Sequence, residues 1–352
     1  MKKFIAFGLM VLLCVSGAFA AGGNQAGGNQ AGGNQQKAPA APKENKVVVY
    51  SPLPLEFLDV ITKEFTKATG ITVDVIALGT GECLKRIEAE VNNPIADVQL
   101  SGTVSTIADR KVLFENYTSV NEPYIQDSMK NKEGMLTRFV SIPSVLMVNT
   151  KIVGDIKIEG YEDLLNPALK GKIAAANPAA SSSAWEHLVN MLYAMGKGDP
   201  EKGWPYVEKL IKQLNGKLLN SSSAVYKGVA DGEYTVGLTF EEGGANYVSA
   251  GAPVKLVYMK EGVVFKDDGV YLVKNAPHKE NGKKFIDFVT GKEAQTIINN
   301  RLNRRTARKD LPESPILLAK SKINVISDND AVVAANRQKW LDKFKDLYTS
   351  SM

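Results

Sequence analysis

Cysteine, histidine and the short motifs of common enzyme classes are scarce in this sequence. Its 352 residues include two cysteines and two histidines, and neither histidine stands in a metal-ligand spacing. There is no GxxxxGK[ST] loop and no HExxH, CxxC or GxSxG element, so nucleotide hydrolysis, zinc proteolysis and serine hydrolysis have no supporting signal. We therefore predict a protein that is not an enzyme, with no catalytic residues, no metal ligands and no cofactor. His187 and His278 are interpreted as structural or exposed.

Strong charge of one sign is also absent. The formal net charge is +5, and it is smaller still if Lys2 and Lys3 are removed with a leader. A balance this mild does not indicate a nucleic-acid partner.

The first twenty residues, MKKFIAFGLMVLLCVSGAFA, have the pattern of an export signal. Two lysines precede an apolar stretch that is too short to span a bilayer, and a small-x-small ending closes it at Ala20. We predict cleavage after Ala20 and a periplasmic location. The alternative is a lipid anchor at Cys14, which bulky Leu13 disfavours.

Low-complexity sequence follows this signal. Residues 21–46 contain three AGGNQ repeats and few apolar side chains, which predicts a flexible Gly/Asn/Gln-rich tether. Removal of the leader would leave Cys83 without a partner cysteine. We predict that it is a small buried residue on a helix.

Strand and helix patterns alternate after the tether. KVVVYS predicts a strand, LEFLDVITKEFTKATG a helix ending at Gly70, ITVDVIA a strand, GTGECLKRIEAEV a helix beginning at Thr80, and ADVQLS a strand. Such alternation predicts a mostly parallel sheet covered by helices. A second alternation begins near residue 144, and GVVFKDDGVYLVKNA has the pattern of hairpin strands.

Two α/β lobes explain this pattern better than one domain does. We place the first lobe at residues 47–144 and 266–320 and the second at 145–265. Residues 321–352 are predicted to form C-terminal helices that pack on the lobes.

Hydroxyl and glycine residues recur where predicted strands end and helices begin. In open α/β sheets, ligands bind at these ends, where helix N-termini present free N–H groups. A single serine there is as well explained by helix capping, but five such turns favour an anion or polyol site. The candidate ligand residues at these turns are Ser51, Thr80, Gly81, Ser101, Gly102, Thr103, Ser181, Ser182, Ser183, Ser221, Ser222 and Ser223.

Three further residues complete the candidate site. Glu241 and Glu242 follow a predicted strand in LTFEEGGANY, where a carboxylate suits a sugar hydroxyl, a hard cation or simply water. Trp185 follows the first serine triplet and is a candidate for stacking on a sugar, although core packing is more usual for tryptophan. The basic segment RLNRRTARKD is interpreted as a solvated helix end, with Arg304 or Arg305 reaching an anionic ligand as the alternative.

These segments resemble the type II solute-binding proteins of ABC importers, in the clade that handles ferric iron, phosphonates and phosphorylated sugars. The resemblance runs from VVVYSPLPLEFLDV through SVLMVNTK, LLNPALKGKIAAANPAASSSA and VYKGVADGEYTVGL to GVYLVKNAPHKENGKKFIDFVTGKEAQ, across nearly all of residues 47–320. It implies two lobes joined by a hinge, a small anionic ligand, delivery to a permease with its ATPase subunit, and a monomer. No nucleic acid is implied.

The same resemblance bears on the ligand. Ferric-binding members carry an adjacent tyrosine pair where this chain reads TFEEGG, so the characteristic iron ligands are missing. Members that bind hexose phosphates resemble it more closely, through the serine-rich turns and the acidic segment. The resemblance thus implies a hexose phosphate receptor, with ferric iron or a phosphonate as alternatives. Whether Glu241 or Glu242 contacts the ligand stays open.

Overall fold

The computed structural model describes residues 45–352, apart from the side chains of residues 108 and 109. The predicted export signal, Cys14 and nearly all of the predicted tether lie outside the described residues. The strands are β1 (Lys46–Ser51), β2 (Thr72–Ala77), β3 (Val98–Thr103), β4 (Thr137–Asn149), β5 (Ile173–Ala174), β6 (Val236–Phe240), β7 (Val254–Val257), β8 (Phe265–Leu272) and β9 (Arg305–Thr306). The helices are α1 (Leu55–Thr69), α2 (Thr80–Ala89), α3 (Val104–Ile107), α4 (Ser182–Met195), α5 (Pro200–Leu214), α6 (Ser222–Ala230), α7 (Glu241–Ser249), α8 (Lys279–Thr290), α9 (Lys292–Arg301) and α10 (Asp330–Ser350). Within these residues, no helix combines the length and apolarity needed to cross a membrane.

The first three strands follow the β-α-β pattern expected from the sequence. β1 pairs in parallel with both β2 and β3, and α1 connects β1 to β2. Ile61 and Phe65 on α1 are buried against the sheet, and Gly70 ends the helix in the left-handed conformation at φ 69°. Glycine adopts this conformation without steric cost, which explains why the helix stops there.

Strand β4 joins two sheet regions because it changes partners along its length. Residues 137–143 pair antiparallel with β8, whereas residues 144–149 pair antiparallel with β6 and β7. We call β1, β2, β3, β8, β9 and the first part of β4, with their packed helices, the first lobe. The second lobe contains β5, β6, β7 and the second part of β4. A mostly parallel sheet was therefore the wrong expectation beyond the first three strands, although β5 and β6 are also parallel.

The predicted hairpin in GVVFKDDGVYLVKNA is instead one antiparallel strand, β8, between β3 and β4. Its Asp-Asp-Gly sequence resembles a turn, since these residues favour turns. In the fold, however, the Asp268 carboxylate accepts hydrogen bonds from the Ser101 hydroxyl and the Gly102 N–H, at 2.5 and 2.6 Å. Contacts distant in sequence therefore keep this segment extended.

Each lobe has its own apolar core. In the first lobe, Phe65 packs edge-on against Phe285 of α8, with ring centroids 5.0 Å apart. In the second lobe, Trp185 of α4 packs against Trp340 of α10, with centroids 6.2 Å apart. The C-terminal helix is thus anchored in the second core. Cys83 is fully buried on α2, which confirms the expectation for that residue.

Candidate ligand site between the two lobes

Two helix N-termini meet where the lobes face each other. Helix α2 begins at Thr80 in the first lobe, and α4 begins at Ser182 in the second. The Thr80 Oγ1 and Ser182 Oγ atoms are 3.1 Å apart. The first N–H groups of a helix lack intrahelical acceptors, and the helix dipole adds partial positive charge. This junction therefore suits an anion.

The two serine triplets have the same internal arrangement. Ser181 caps α4 by accepting from the Ala184 N–H at 3.4 Å, and its hydroxyl lies 3.1 Å from that of Ser183. Ser221 caps α6 through the Ala224 N–H at 3.2 Å, and lies 3.0 Å from Ser223. Capping therefore accounts for the first serine of each triplet.

The triplets also lie on neighbouring stretches of chain. The Asn177 N–H donates to the Leu219 carbonyl at 2.9 Å, which places the approaches to α4 and α6 side by side. Ser182 reaches the other lobe, whereas Ser223 is exposed.

The hydroxyls at the ends of β1 and β3 take part in internal hydrogen bonds. Ser51 donates to the Leu100 carbonyl at 2.7 Å, and Ser101 donates to Asp268. Ser101 and Gly102 have φ values of 79° and 116°, a pair of left-handed residues that ends the regular part of β3. Thr103 donates to Glu186 of α4 at 2.6 Å, across the lobe boundary. In this structure, the hydroxyl groups of these candidate residues are therefore engaged in hydrogen bonds within the protein.

Glu242 belongs to a buried network that also joins the lobes. Arg304 Nε donates to Glu242 Oε2, and Arg304 Nη1 lies 3.3 Å from Asp268 Oδ2. The guanidinium packs over the Phe57 ring, 5.1 Å from its centroid. Burial raises the pKa of Glu242, while Arg304 opposes that shift. Among the described residues, Glu242 Oε1 accepts no hydrogen bond, so one carboxylate oxygen remains for a ligand.

Glu241 is engaged through both carboxylate oxygens. Arg305 donates to them from Nε at 2.8 Å and from Nη2 at 2.6 Å, and the Tyr258 hydroxyl donates to Oε1. A bidentate guanidinium pair is strong and fixes geometry. Because Arg305 lies on β9 of the first lobe, its ion pair with Glu241 links the two lobes.

The basic segment is not a solvated helix end, as the sequence suggested. Arg304 is 4% exposed, and Arg305 is largely covered. Both guanidinium groups are drawn inward because each neutralises an acid of the second lobe. Glu241 and Glu242 precede these arginines by more than sixty residues in the sequence. Local pattern analysis therefore could not predict the pairing.

Glu186 is a buried acid at the lobe boundary to which the sequence analysis assigned no role. It is 5% exposed, and its Oε1 accepts hydrogen bonds from Thr103 and Ser105, both at 2.6 Å. Its Oε2 has no hydrogen-bond partner among the described residues. Burial raises the pKa of Glu186, opposed chiefly by the charge on Lys266. The sequence signal that could have indicated a role for Glu186 is its position one helical turn after a serine triplet.

Trp185 and the histidines lie in packed surroundings. Trp185 is fully buried between Trp340 and the Arg337 guanidinium, which lies 4.4 Å from the ring centroid. Its ring therefore belongs to the core of the second lobe. His187 is buried, and His278 Nδ1 lies 2.9 Å from the Asp97 carboxylate. In residues 45–352, no group of three or more His, Cys, Asp and Glu residues is arranged to hold a metal.

Comparisons with known proteins identify the family. A putative 2-aminoethylphosphonate-binding periplasmic protein of Salmonella typhimurium is 27% identical over 268 residues, covering 71% of this chain and 74% of that protein. The periplasmic binding protein AfuA from Actinobacillus pleuropneumoniae, with exogenous fructose-6-phosphate bound, has a TM-score of 0.80 at 26% identity, covering 86% of this chain and 98% of its own. The apo ferric ion-binding protein A of Pasteurella haemolytica shares the fold, with a TM-score of 0.72 at 19% identity over 86% of this chain and 98% of its own.

The fold is that of the type II periplasmic binding proteins, with two lobes, and such relatives are binding proteins rather than enzymes. The family model for bacterial extracellular solute-binding proteins matches residues 61–324. Because this match spans well over half of the chain, the protein belongs to the family of bacterial extracellular solute-binding proteins.

Proposed function

We propose that this protein is a periplasmic receptor of an ABC importer that captures a hexose phosphate between its lobes. The observation that carries the proposal is the meeting of the α2 and α4 N-termini at Thr80 and Ser182, 3.1 Å apart. Two such termini supply N–H and O–H donors for a phosphate group without a buried lysine. The likeness to AfuA, a protein with bound fructose-6-phosphate, supports the sugar phosphate class.

The two ends of the ligand have different requirements. Phosphate would lie at the helix N-termini and contact Thr80, Ser182 and Ser183, because these termini supply N–H and O–H donors. Glu242 Oε1 would accept a hydrogen bond from a sugar hydroxyl at the other end. Glu241 is the weaker candidate for this contact, because Arg305 and Tyr258 already occupy its oxygens.

Capture depends on closure of the lobes. Closure would exclude water, and donors in a dry site bind an anion more strongly than in water. The hinge would lie where β4 changes partners, with residues 47–144 and 266–320 on one side and 145–265 on the other. The receptor would then pass its ligand to a permease with an ATPase subunit, acting as a monomer after removal of the leader at Ala20 or while anchored at Cys14.

Ferric iron and a phosphonate are the competing ligands. A cation at the acid pair would lie beside Arg304 and Arg305, which disfavours it electrostatically. A 2-aminoethylphosphonate ligand, which the Salmonella relative is described as binding, would need a carboxylate for its ammonium group. Glu242 has one oxygen available for that purpose, so phosphonate is the stronger competitor.

Two matched variants test the assignment of the acids. Glu242→Gln weakens the Arg304 pair whichever ligand is bound, but it should weaken hexose phosphate binding by about 1–3 kcal/mol more than inorganic phosphate binding, because the amide nitrogen cannot accept a hydrogen bond from a sugar hydroxyl. Glu241→Gln should lower the affinity for both ligands alike, because it weakens the ion pair between Glu241 and Arg305 that links the lobes. Calorimetric titration of both variants with both ligands gives the comparison. Equal loss for both ligands in Glu242→Gln would refute hydroxyl recognition by that acid.

A further inference from the structure

A polar cavity, which we call the back cavity, lies beside Asp267 and Arg305 of the first lobe. Its volume is about 330 Å³, which is large enough to hold a small ligand. Asp267 and Arg305 line it, whereas their neighbours Asp268 and Arg304 face the other way, toward Ser101 and Glu242. Asp267 and Asp268 are successive residues of β8 and therefore point to opposite faces of the sheet, which separates the cavity from the Ser101 contact.

Strand register places three polar side chains in a row on the cavity floor. Ser141 of β4 pairs with Asp267 of β8 on one side and with Arg305 of β9 on the other. Directly paired residues have Cβ atoms about 5 Å apart, so the carboxyl and guanidinium ends of the row are separated by roughly 10 Å. The cavity floor therefore has a carboxylate at one end and a guanidinium at the other, although the Arg305 guanidinium also pairs with Glu241.

An aromatic ring and a further cation extend the basic end. Phe265, two residues before Asp267 on β8, lies beneath both Arg305 and Lys320, with the cations 5.3 and 4.7 Å from its ring centroid. No ion pair for Lys320 is found in the described part of the chain. At the acidic end, Arg138 Nε lies 3.5 Å from the Asp267 carboxylate, and the Ser141 hydroxyl also interacts with it.

Two buried polar groups in the lining have no protein partner. Asn299 is 2% exposed and Ser314 is 7% exposed, and both line the back cavity. The Asn299 Oδ1 and Ser314 Oγ atoms make no hydrogen bond with any described residue. An unpaired buried polar atom carries a desolvation cost, so a ligand that pairs with these groups would recover free energy.

We propose that the back cavity binds a small zwitterion of the amino-acid class, with its carboxylate toward Arg305 and Lys320 and its ammonium toward Asp267. The lining has three cationic and three anionic side chains, so neither a multiply charged anion nor a metal cation matches it as a whole. A molecule with one charge of each sign, several bonds apart, matches both ends of the row. This site lies apart from the sugar phosphate site and does not depend on that assignment.

Calorimetry with amino acids tests this proposal on the chain without its leader. The probes are glycine, γ-aminobutyrate and 6-aminohexanoate, with butyrate and butylamine as controls that each carry only one charge. At least one zwitterion should bind, and each control should bind about tenfold more weakly or not at all, because each loses one charge-assisted contact. Failure of every amino acid to bind, or equal binding of a control, would overturn the proposal.

Two variants locate the binding site. Asp267→Asn keeps the side-chain volume and should weaken the zwitterion about tenfold. Lys320→Gln, at an exposed position that does not threaten folding, should weaken it severalfold, and the matched exposed variant Lys322→Gln should leave it unchanged. Affinity that is unaltered in both Asp267→Asn and Lys320→Gln would place the zwitterion elsewhere and refute the assignment.

Discussion

At the residue scale, buried acids and their distant partners determine the character of the cleft. Asp268 accepts from Ser101, Gly102 and Arg304, and Glu242 shares the same guanidinium. A buried carboxylate is tolerated only when such partners satisfy it. The acids are thus part of the folded framework as well as candidates for ligand contact.

Replacement of Asp268 should be costly for folding. Asp268→Ala leaves the Ser101 hydroxyl, the Gly102 N–H and part of the Arg304 charge unpaired, which should lower the free energy of unfolding by about 3–5 kcal/mol. The control is Asp59→Ala, which removes an exposed pair with Lys63 and should cost under about 1 kcal/mol. Urea denaturation measures both values. Equal costs would show that the buried network adds no stability.

His187 should make stability depend on pH. Its Nε2 lies 3.0 and 2.8 Å from the Val145 and Thr239 carbonyls, so Nε2 carries the proton and Nδ1 accepts from the Tyr161 hydroxyl. Burial lowers the pKa of His187 to about 4 from 6.5, so the unfolded chain binds more protons between these pH values. Stability contributed by His187 is therefore lost as pH falls through this window, by up to about 3 kcal/mol.

The variant His187→Gln isolates this effect from the other titrating groups. It lacks the imidazole, so its free energy of unfolding should fall less steeply between pH 6.5 and pH 4 than that of the original chain. Identical pH slopes for the two proteins, from urea denaturation at a series of pH values, would contradict the assignment of a depressed pKa.

Local sequence patterns could predict only some of the residue contacts in the candidate site. The capping role of Ser181 and Ser221 follows from their position before a helix, and the burial of Cys83 follows from the apolar spacing of α2. Which glutamate has an available oxygen depends on Arg304 and Arg305, which arrive from a distant segment. Periodicity carries no information on such pairs.

At the element scale, prediction was most successful where short-range signals determine structure. The strand KVVVYS and the helix that ends at Gly70 have the predicted positions, because β-branched runs and a left-handed glycine act locally. Strand β8 was misread as a hairpin, because the partners that keep Asp268 extended come from β3 and from Arg304. The change of partners along β4 likewise has no local signature.

Two glycines provide a matched test at this scale. Gly70→Ala places a side chain at φ 69° and should cost about 1 kcal/mol of stability without affecting ligand affinity. Gly81→Ala, in the first turn of α2, meets no atom within 4 Å and should not destabilise the fold. Its methyl group should weaken hexose phosphate binding, since the ligand approaches this turn. Thermal unfolding and calorimetry separate the two effects, and unchanged affinity in Gly81→Ala would remove α2 from the site.

At the scale of the whole molecule, polar contacts hold the lobes together. Thr80 meets Ser182, Glu186 meets Thr103, and two arginines of the first lobe pair with acids of the second. The alternating pattern allowed two α/β units to be predicted from the sequence. Their closure and its contacts could not be, because they join segments that are far apart along the chain.

A disulfide trap tests closure directly. In the double variant Thr80→Cys, Ser182→Cys, the replaced hydroxyl oxygens are 3.1 Å apart, so a disulfide should form across the cleft. Burial raises the pKa of Cys83 to about 12, so its thiol should not compete. The crosslink should form without added ligand, measured by gel mobility against both single variants, because the structure brings the two helix N-termini together. Failure of the double variant to crosslink would show that the lobes do not meet at this contact.

The central claim is that the receptor binds a hexose phosphate, and one calorimetric panel tests it most directly. The chain without its leader is titrated with hexose phosphates, inorganic phosphate, 2-aminoethylphosphonate and ferric citrate under the same buffer conditions. The account predicts that at least one hexose phosphate binds more tightly than every other ligand, because its phosphate engages the helix N-termini while a sugar hydroxyl donates to Glu242. Tightest binding of 2-aminoethylphosphonate or ferric iron, or no binding of any hexose phosphate, would contradict it.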